Sequence, residues 1–201
     1  KIYQQLKNDA RVEEIIFMSH FANADIKNGT DLQISQIDSL VKTFNEPFSV
    51  ANSAAIFNQI STQLDWVRPG IMLYGATPFD ADLPLDQLKP VMTLRSEIIA
   101  IQEIKKGEGV GYGNEFKASE DMRIGIVACG YADGYPRHAP SGTPIIVDGI
   151  QTSTVGRVSM DMIAVDIDDI PNVNYGSSVE LWGENLSVDI VAQHAKTVGY
   201  E

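Results

Sequence analysis

The hydrophobic period of this chain changes once along its length, and that change limits what it can fold into. In the first part, the apolar runs Ile15 to Met18, Phe48 to Ala51 and Leu64 to Val67 do not alternate, and each neighbours a stretch with helical spacing. Strands that are apolar at successive positions are buried on both faces, as in parallel sheets covered by helices. Beyond the linker Pro78 to Pro90, with its prolines and aspartates, the period becomes two. Strand–helix repeats followed by alternating strands predict a parallel α/β portion over residues 1–80 and an antiparallel β-domain over residues 81–201.

The first part divides into a helix over residues 1–14, with Ile2, Leu6 and Val12 on one side, and a helix from Asp31 to Phe44. The second carries Ile37, Leu40, Val41 and Phe44 at helical spacing, with Thr30 and Gln33 placed as a capping box. A third helix is expected from Ala54 to Gln63. The predicted strand ends are then His20, Ser53 and the stretch Arg68 to Ile71. In parallel α/β architectures the chemistry gathers at such C-terminal strand ends. In the second part, strands are expected at Met92 to Ala100, Arg123 to Cys129, Pro144 to Val147, Gln151 to Val158, Met162 to Ile167 and Ser178 to Leu181. A glycine-rich loop, Gly107 to Gly113, follows the first of these. A helix from Val188 to Lys196, capped by Ser187, closes the pattern.

Composition narrows the partners. A net charge of −12 argues against a nucleic-acid backbone or an anionic membrane as partner. No apolar span reaches the length of a membrane crossing, and no signal peptide is visible. The single cysteine, Cys129, offers neither a disulfide nor metal-ligand spacing and reads as a buried thiol, which suits a reducing cytoplasm. His138 and His194 have no partner at ligand spacing, so no metal site is expected. The chain begins at Lys1 within a helical pattern, and the expectation is a segment of a longer protein.

Several residues could carry chemistry. Pro69 presets a turn and leaves the N–H groups of Gly70 and Ile71 to face an anion, with the non-titrating cation of Arg68 beside them. A strand end with a tight turn and an ion pair explains the same residues. Ser53 sits where a strand passes into a helix, so its hydroxyl either shares an anion with Gly70 and Ile71 or simply caps the helix. His20 could stack on a planar heterocycle, carry a proton, or be an ordinary hydrogen-bonded histidine. Tyr112 lies between two glycines that can hold its ring away from the loop; a projecting phenol can act as acid or base, or pack on a domain face. Tyr131 and Arg137 could line a pocket mouth.

The segments His20 to Asp25, Asn52 to Ala55, Arg68 to Gly75, Val110 to Gly113, Gly130 to Arg137 and Gly156 to Asp161, taken in order, resemble alanine racemase over the whole chain. The resemblance implies the last three strand–helix units of a (β/α)₈ barrel of TIM type that binds pyridoxal 5′-phosphate, followed by a β-domain, in a homodimer with shared active sites. It implies that Ser53, Gly70, Ile71 and Tyr200 hold the cofactor phosphate, that Arg68 faces the pyridine nitrogen, and that His20 and Asn52 also contact the cofactor. Tyr112 matches the catalytic tyrosine, which serves the partner's site. Met160 lies near the substrate carboxylate through its backbone, and Tyr131 and Arg137 match the entrance lining. The implied activity is two-base interconversion of L- and D-alanine, supplying D-alanine for peptidoglycan. A serine or broad-spectrum racemase, or a non-catalytic cofactor-binding module, are the alternatives. The family's cofactor-bearing lysine has no counterpart at the expected strand ends. Five absent barrel units correspond to roughly 150 residues. Ser49 stands where many relatives carry histidine.

Overall fold

The structure is a computed structural model that describes residues 1–58, 63–79 and 88–201. The later part of the predicted helix Ala54 to Gln63, and most of the linker Pro78 to Pro90, lie outside the described residues. Two compact units divide the chain, Lys1–Leu73 with Thr77–Pro84 and Tyr74–Ala76 with Leu85–Glu201.

The first unit runs α1 (Ile2–Lys7), β1 (Phe17–Met18), α2 (Asp31–Val41), β2 (Phe48–Ala51), α3 (Ser53–Asn58) and β3 (Trp66–Val67). The strands pair in parallel in the order β1-β2-β3. Phe17, Tyr3, Phe44 and Phe48 pack ring against ring, with centroids of Phe17 at 5.8, 4.7 and 5.1 Å from the other three. This aromatic cluster fixes β1 and β2 to the segments around them. The helix expected over 1–14 stops at Lys7. Asp9 Oδ1 accepts from the Arg11 N–H at 3.0 Å and from its Nε at 2.9 Å, a side-chain turn that competes with the helix.

Two further expectations change. Of the three parallel strands, β2 alone is buried at every position; Met18 on β1 is 73% exposed and Trp66 on β3 is 53% exposed. The cause is position, since β2 has a strand on either side while β1 and β3 each pair along one edge among the described residues. Gln33, placed by spacing in a capping box, sends its side chain instead to the loop after β1, as described below.

The second unit continues with β4 (Leu94–Ile104), β5 (Gly109–Val110), β6 (Phe116–Lys117), β7 (Met122–Val127), β8 (Pro144–Val147), β9 (Ile150–Val155), β10 (Ile163–Asp166), β11 (Ser178–Trp182) and α4 (Val188–Ala195). Six strands form a closed antiparallel barrel in the order β10-β7-β4-β11-β8-β9, with β9 pairing β10 to complete it. The expected antiparallel strands are present; closure is a feature that their spacing did not predict. Ile98, Val127, Ile145, Val165, Val179 and Leu181 fill the interior with no exposure. A Cβ on Gly125 would stand 2.8 Å from Ile98 Cδ1 and 3.3 Å from Val165 Cγ2, so a side chain there would make the packed core shift. Glu180, also buried, accepts from Asn185 N at 2.7 Å, Asn185 Nδ2 at 2.9 Å and Leu186 N at 3.2 Å. Ser187 caps α4 by accepting from Asp189 N at 3.2 Å, as its position predicts. Among the described residues no helix is long and apolar enough to cross a membrane.

Candidate active site

At the C-terminal ends of β1, β2 and β3 the side chains of His20, Asn52 and Arg68 are in hydrogen-bond contact, and Ser53, next to Asn52, bonds separately to the turn after Arg68. Arg68 follows β3, and its N–H donates to Ala51 O at 2.9 Å, which continues the ladder by one bond. Its guanidinium reaches across β2 to the end of β1. Nη1 donates to Ser49 O at 2.7 Å and to Ser49 Oγ at 2.6 Å, and Nη2 donates to Ser19 O at 2.7 Å. Bonds from a cation to neutral oxygens are strong and directional, so the guanidinium plane is fixed. Nε–H is the donor with no partner among the described residues.

His20 stands between two donors. Arg68 Nη2 lies 3.5 Å from Nδ1, and Asn52 Nδ2 lies 3.4 Å from Nε2. A neutral imidazole has a single acceptor nitrogen, so it satisfies only one of them at a time. Asn52 has further work. Its Oδ1 accepts from Ala55 N at 3.1 Å, and its Nδ2 donates to Phe21 O at 3.3 Å.

Asn52, then, caps α3, and Ser53 is released from that role. Ser53 Oγ accepts instead from the Gly70 N–H at 2.8 Å. The Gly70 N–H, expected to be free for an anion, is thus aligned beside a hydroxyl that has its own proton to donate. Apart from its chain neighbours, the nearest described atom to a Cβ built on Gly70 is Ser53 Oγ, at 3.8 Å. Ile71 opens a short 3₁₀ turn, Ile71–Tyr74, whose first N–H groups have no acceptor within the turn. The Gly70 N–H is therefore engaged, and the hydroxyl proton of Ser53 and the first N–H groups of the turn are the donors suited to a phosphate.

In the second unit the structure brings Tyr131, Arg137 and Met160 together. A Cβ on Gly130 would lie 2.2 Å from Met160 O, so only glycine lets the two backbones approach. Tyr131 N donates to Ser159 O at 3.0 Å and Ala132 N to Met160 O at 2.9 Å. The Met160 carbonyl is therefore engaged. The Arg137 guanidinium lies over the Tyr131 ring, 5.7 Å from its centroid. Beneath this loop Tyr135 is buried and stacks on Trp182, and burial pushes its hydroxyl well above the usual phenol range. Burial also raises the Cys129 thiol to about 11, with Asp133 adding to the effect.

Tyr112 and Tyr200 project from separate loops and are 67% and 71% exposed. Tyr112 stands in the connection between β5 and β6, flanked by Gly111 and Gly113 at φ 75° and 76°. A Cβ on Gly111 would lie 3.1 Å from Arg157 N, so the turn backs onto Arg157, whose side chain pairs with Glu115. No group of three or more metal-ligating side chains occurs among the described residues. His194 Nδ1 lies 2.9 Å from Ile190 O on its own helix.

Sequence reasoning missed three contributors. Ser49 was noted only as a substitution, whereas it supplies two acceptors to Arg68. Ser19 acts through its carbonyl, which no side-chain pattern reveals. Gln33 was misassigned, because the spacing that suggests a cap also fits a side chain turned to a neighbouring loop.

The comparisons with known proteins cover both units. The description "Alanine racemase, N-terminal domain" matches residues 1–78, and "Alanine racemase, C-terminal domain" matches residues 91–201. The chain is 51% identical to a protein named "Alanine racemase, catabolic" from Klebsiella aerogenes, over all of this chain and 57% of that protein. It is 54% identical to an alanine racemase from Thiobacillus denitrificans, over 96% of this chain and 53% of that one. Among solved structures, biosynthetic alanine racemase from Pseudomonas aeruginosa superposes with a TM-score of 0.94 at 46% identity, covering 100% of this chain and 57% of that one. Alanine racemase from Bartonella henselae, solved with covalently bound pyridoxal phosphate, gives a TM-score of 0.85 at 28% identity, over 99% of this chain and 57% of that one. The chain thus spans about half the length of the relatives it matches.

Proposed function

The chain belongs to the alanine racemase family, and on that premise we propose that its residues serve the interconversion of L- and D-alanine with pyridoxal 5′-phosphate as cofactor. The observation that carries this reading is the donor set at the strand ends: the Ser53 hydroxyl beside Gly70 N–H, with a fixed guanidinium at the neighbouring strand end. Such a set fits the cofactor at two points. Ser53, Gly70 and Ile71, with Tyr200, would hold its phosphate, and Arg68 would meet its pyridine nitrogen through Nε–H. When bound, the cofactor supplies the electron sink that makes the Cα proton of an amino acid removable.

The chain's own residues then set the outcome. Arg68, whose guanidinium is a donor with no acceptor atom, would donate to the ring nitrogen of the bound cofactor. Such a donor at that position would favour return of the proton to Cα over side reactions. Tyr112 holds or moves the proton on one face of Cα. The opposite face requires a second base, and among the described residues no lysine stands at the C-terminal end of β1, β2 or β3, where His20, Asn52 and Arg68 stand. By the resemblance to the family, that base would be the cofactor-bearing lysine. His20 and Asn52 flank the cofactor, the Met160 backbone sits near the substrate carboxylate, and Tyr131 with Arg137 lines the entrance. We read the three parallel strands as the last units of a (β/α)₈ barrel, in a cytoplasmic homodimer where Tyr112 serves the partner's site and the product feeds peptidoglycan.

The test is direct. Full-length protein loaded with the cofactor should convert either alanine enantiomer into an equal mixture, followed by chiral chromatography. Faster turnover of serine or of many amino acids would redirect the substrate assignment, and cofactor binding without turnover of any amino acid would overturn the reading.

A further inference from the structure

We propose that Gln33 is a positioning residue for His20, acting through the backbone on either side of Phe21. The inference rests on His20 belonging to the proposed site. Gln33 Nε2 donates to His20 O at 3.0 Å, and its Oε1 accepts from Ala22 N at 3.1 Å. The amide orientation is fixed by chemistry, since the flipped form would set donor against donor and acceptor against acceptor.

The pattern has a structural meaning. In a parallel ladder, one residue donates to the carbonyl before its partner and accepts from the N–H after it. The Gln33 carboxamide does this around Phe21, standing in for a strand where the ladder has run out. The last ladder bond from this strand is Ser19 N to Ser49 O at 3.1 Å. On its other side Phe21 O accepts from Asn52 Nδ2 at 3.3 Å, and the Phe21 ring is buried. Two amide side chains from different elements therefore hold three consecutive residues.

The His20 ring itself is held weakly. Its contacts to Arg68 and Asn52, at 3.5 and 3.4 Å, are at the outer limit for hydrogen bonds. The backbone, not the ring contacts, sets where the imidazole stands, and Gln33 is what fixes that backbone. Gln33 is in turn anchored by α2, one turn before the buried Ile37 on the same face.

The experiment uses ¹⁵N-labelled full-length protein and the variants Gln33→Leu, Gln33→Glu and, as a control, Gln36→Leu on the same helix. Gln33→Leu should move the imidazole resonances of His20 and speed exchange of the Ala22 amide by tenfold or more. Where the protein racemises alanine, kcat should fall between about 10- and 100-fold with KM little changed, the cost of a misplaced group. Gln36→Leu should change none of these. Gln33→Glu, which keeps the acceptor for Ala22 N–H and loses the donor to His20 O, serves if the leucine variant does not fold; it should move the His20 resonances while Ala22 stays protected. Shifted His20 resonances in a protein without racemase activity would uphold the positioning role and sink the activity. Unmoved His20 resonances and unchanged Ala22 exchange in the folded variants would overturn the inference whatever the activity.

Discussion

Val165 and Val179 lie on strands paired along both edges and are fully buried, whereas Met18 and Trp66 lie on strands paired along one edge and are 73% and 53% exposed. The barrel completes its own hydrogen bonding, so its core is defined by its own sequence. The three-stranded sheet does not. Its strand ends are held by side chains in place of further ladder bonds: Arg68 ties the carbonyls of Ser19 and Ser49, and Gln33 and Asn52 hold the loop after β1. An unfinished sheet edge leaves polar backbone groups that polar side chains must satisfy. The same groups, fixed in place, are what a cofactor site needs. The self-contained unit supplies Tyr112 instead, on an exposed turn preset by glycines.

The largest expected effect tests that division of labour. In the full-length protein, Tyr112→Phe should lower racemisation by about 10² to 10⁴, as expected for loss of a positioned proton-transfer group. Stability should not follow, because the ring is 67% exposed. In deuterated water, Cα–H exchange should persist for one enantiomer and collapse for the other. Equal loss from both, or a drop in thermal stability matching the loss of rate, would move the tyrosine from chemistry to architecture.

Next in size is the barrel's one buried carboxylate with three N–H partners. Glu180→Ala should destabilise the protein by roughly 1–3 kcal/mol in denaturant unfolding, since the buried Leu186 N–H loses its acceptor and Asn185 loses two bonds to a carboxylate. Burial by itself raises this carboxyl, but the bonds from Asn185 and Leu186, with Arg95 nearby, outweigh it and leave it below the usual range. A lowered folded value means that the stabilisation is present above the unfolded carboxylate range and is lost as pH falls through the folded value. Glu180→Gln should therefore flatten the acid limb of the stability profile. An acid limb unchanged from wild type would show that other carboxylates set it.

How much of this was legible in the sequence follows the same line. Most barrel strands announce themselves through alternation, because one face of each lies in a core that the chain itself provides; β8, buried at every position, reads as a plain apolar run. β2 was placed to the residue, for it alone in the sheet is covered as its composition implies. β1 and β3 shrank to two residues, since an apolar run specifies burial only where something covers it. The site residues His20, Asn52, Ser53, Arg68 and Gly70 were visible as polar groups at strand ends, and they do cluster. Their pairing was not visible: Asn52 took the cap that Ser53 was offered, and Gln33 left a cap for a loop eleven residues earlier in the chain. Short polar motifs fix which groups are near one another, and the three-dimensional competition for partners decides which bonds form.

A middle-sized effect probes closure. Gly125→Ala should cost about 1–3 kcal/mol, because its Cβ would stand 2.8 Å from Ile98 Cδ1 in a full core. Pairing it with Ile98→Val, which removes the methyl nearest the new atom, should recover part of that loss. Additive destabilisation in the double variant would show that the barrel core yields elsewhere.

The smallest expected effect bears hardest on the open sheet. In the 201-residue chain, Met18→Thr should change stability by no more than about 0.5 kcal/mol, since the side chain is 73% exposed and threonine suits a strand. In the full-length protein the proposed barrel places another strand beside β1, and the same change should then cost about 1–2 kcal/mol, within the range for losing buried apolar surface. Val165→Thr in the closed barrel is the reference. It buries a hydroxyl in either context and should cost about 1–3 kcal/mol in both. The informative quantity is the difference between contexts at each site: near zero for Val165, and positive for Met18. A Met18 penalty equally small in the full-length protein would mean that β1 remains an edge there, and the three strands would not be part of a closed parallel barrel.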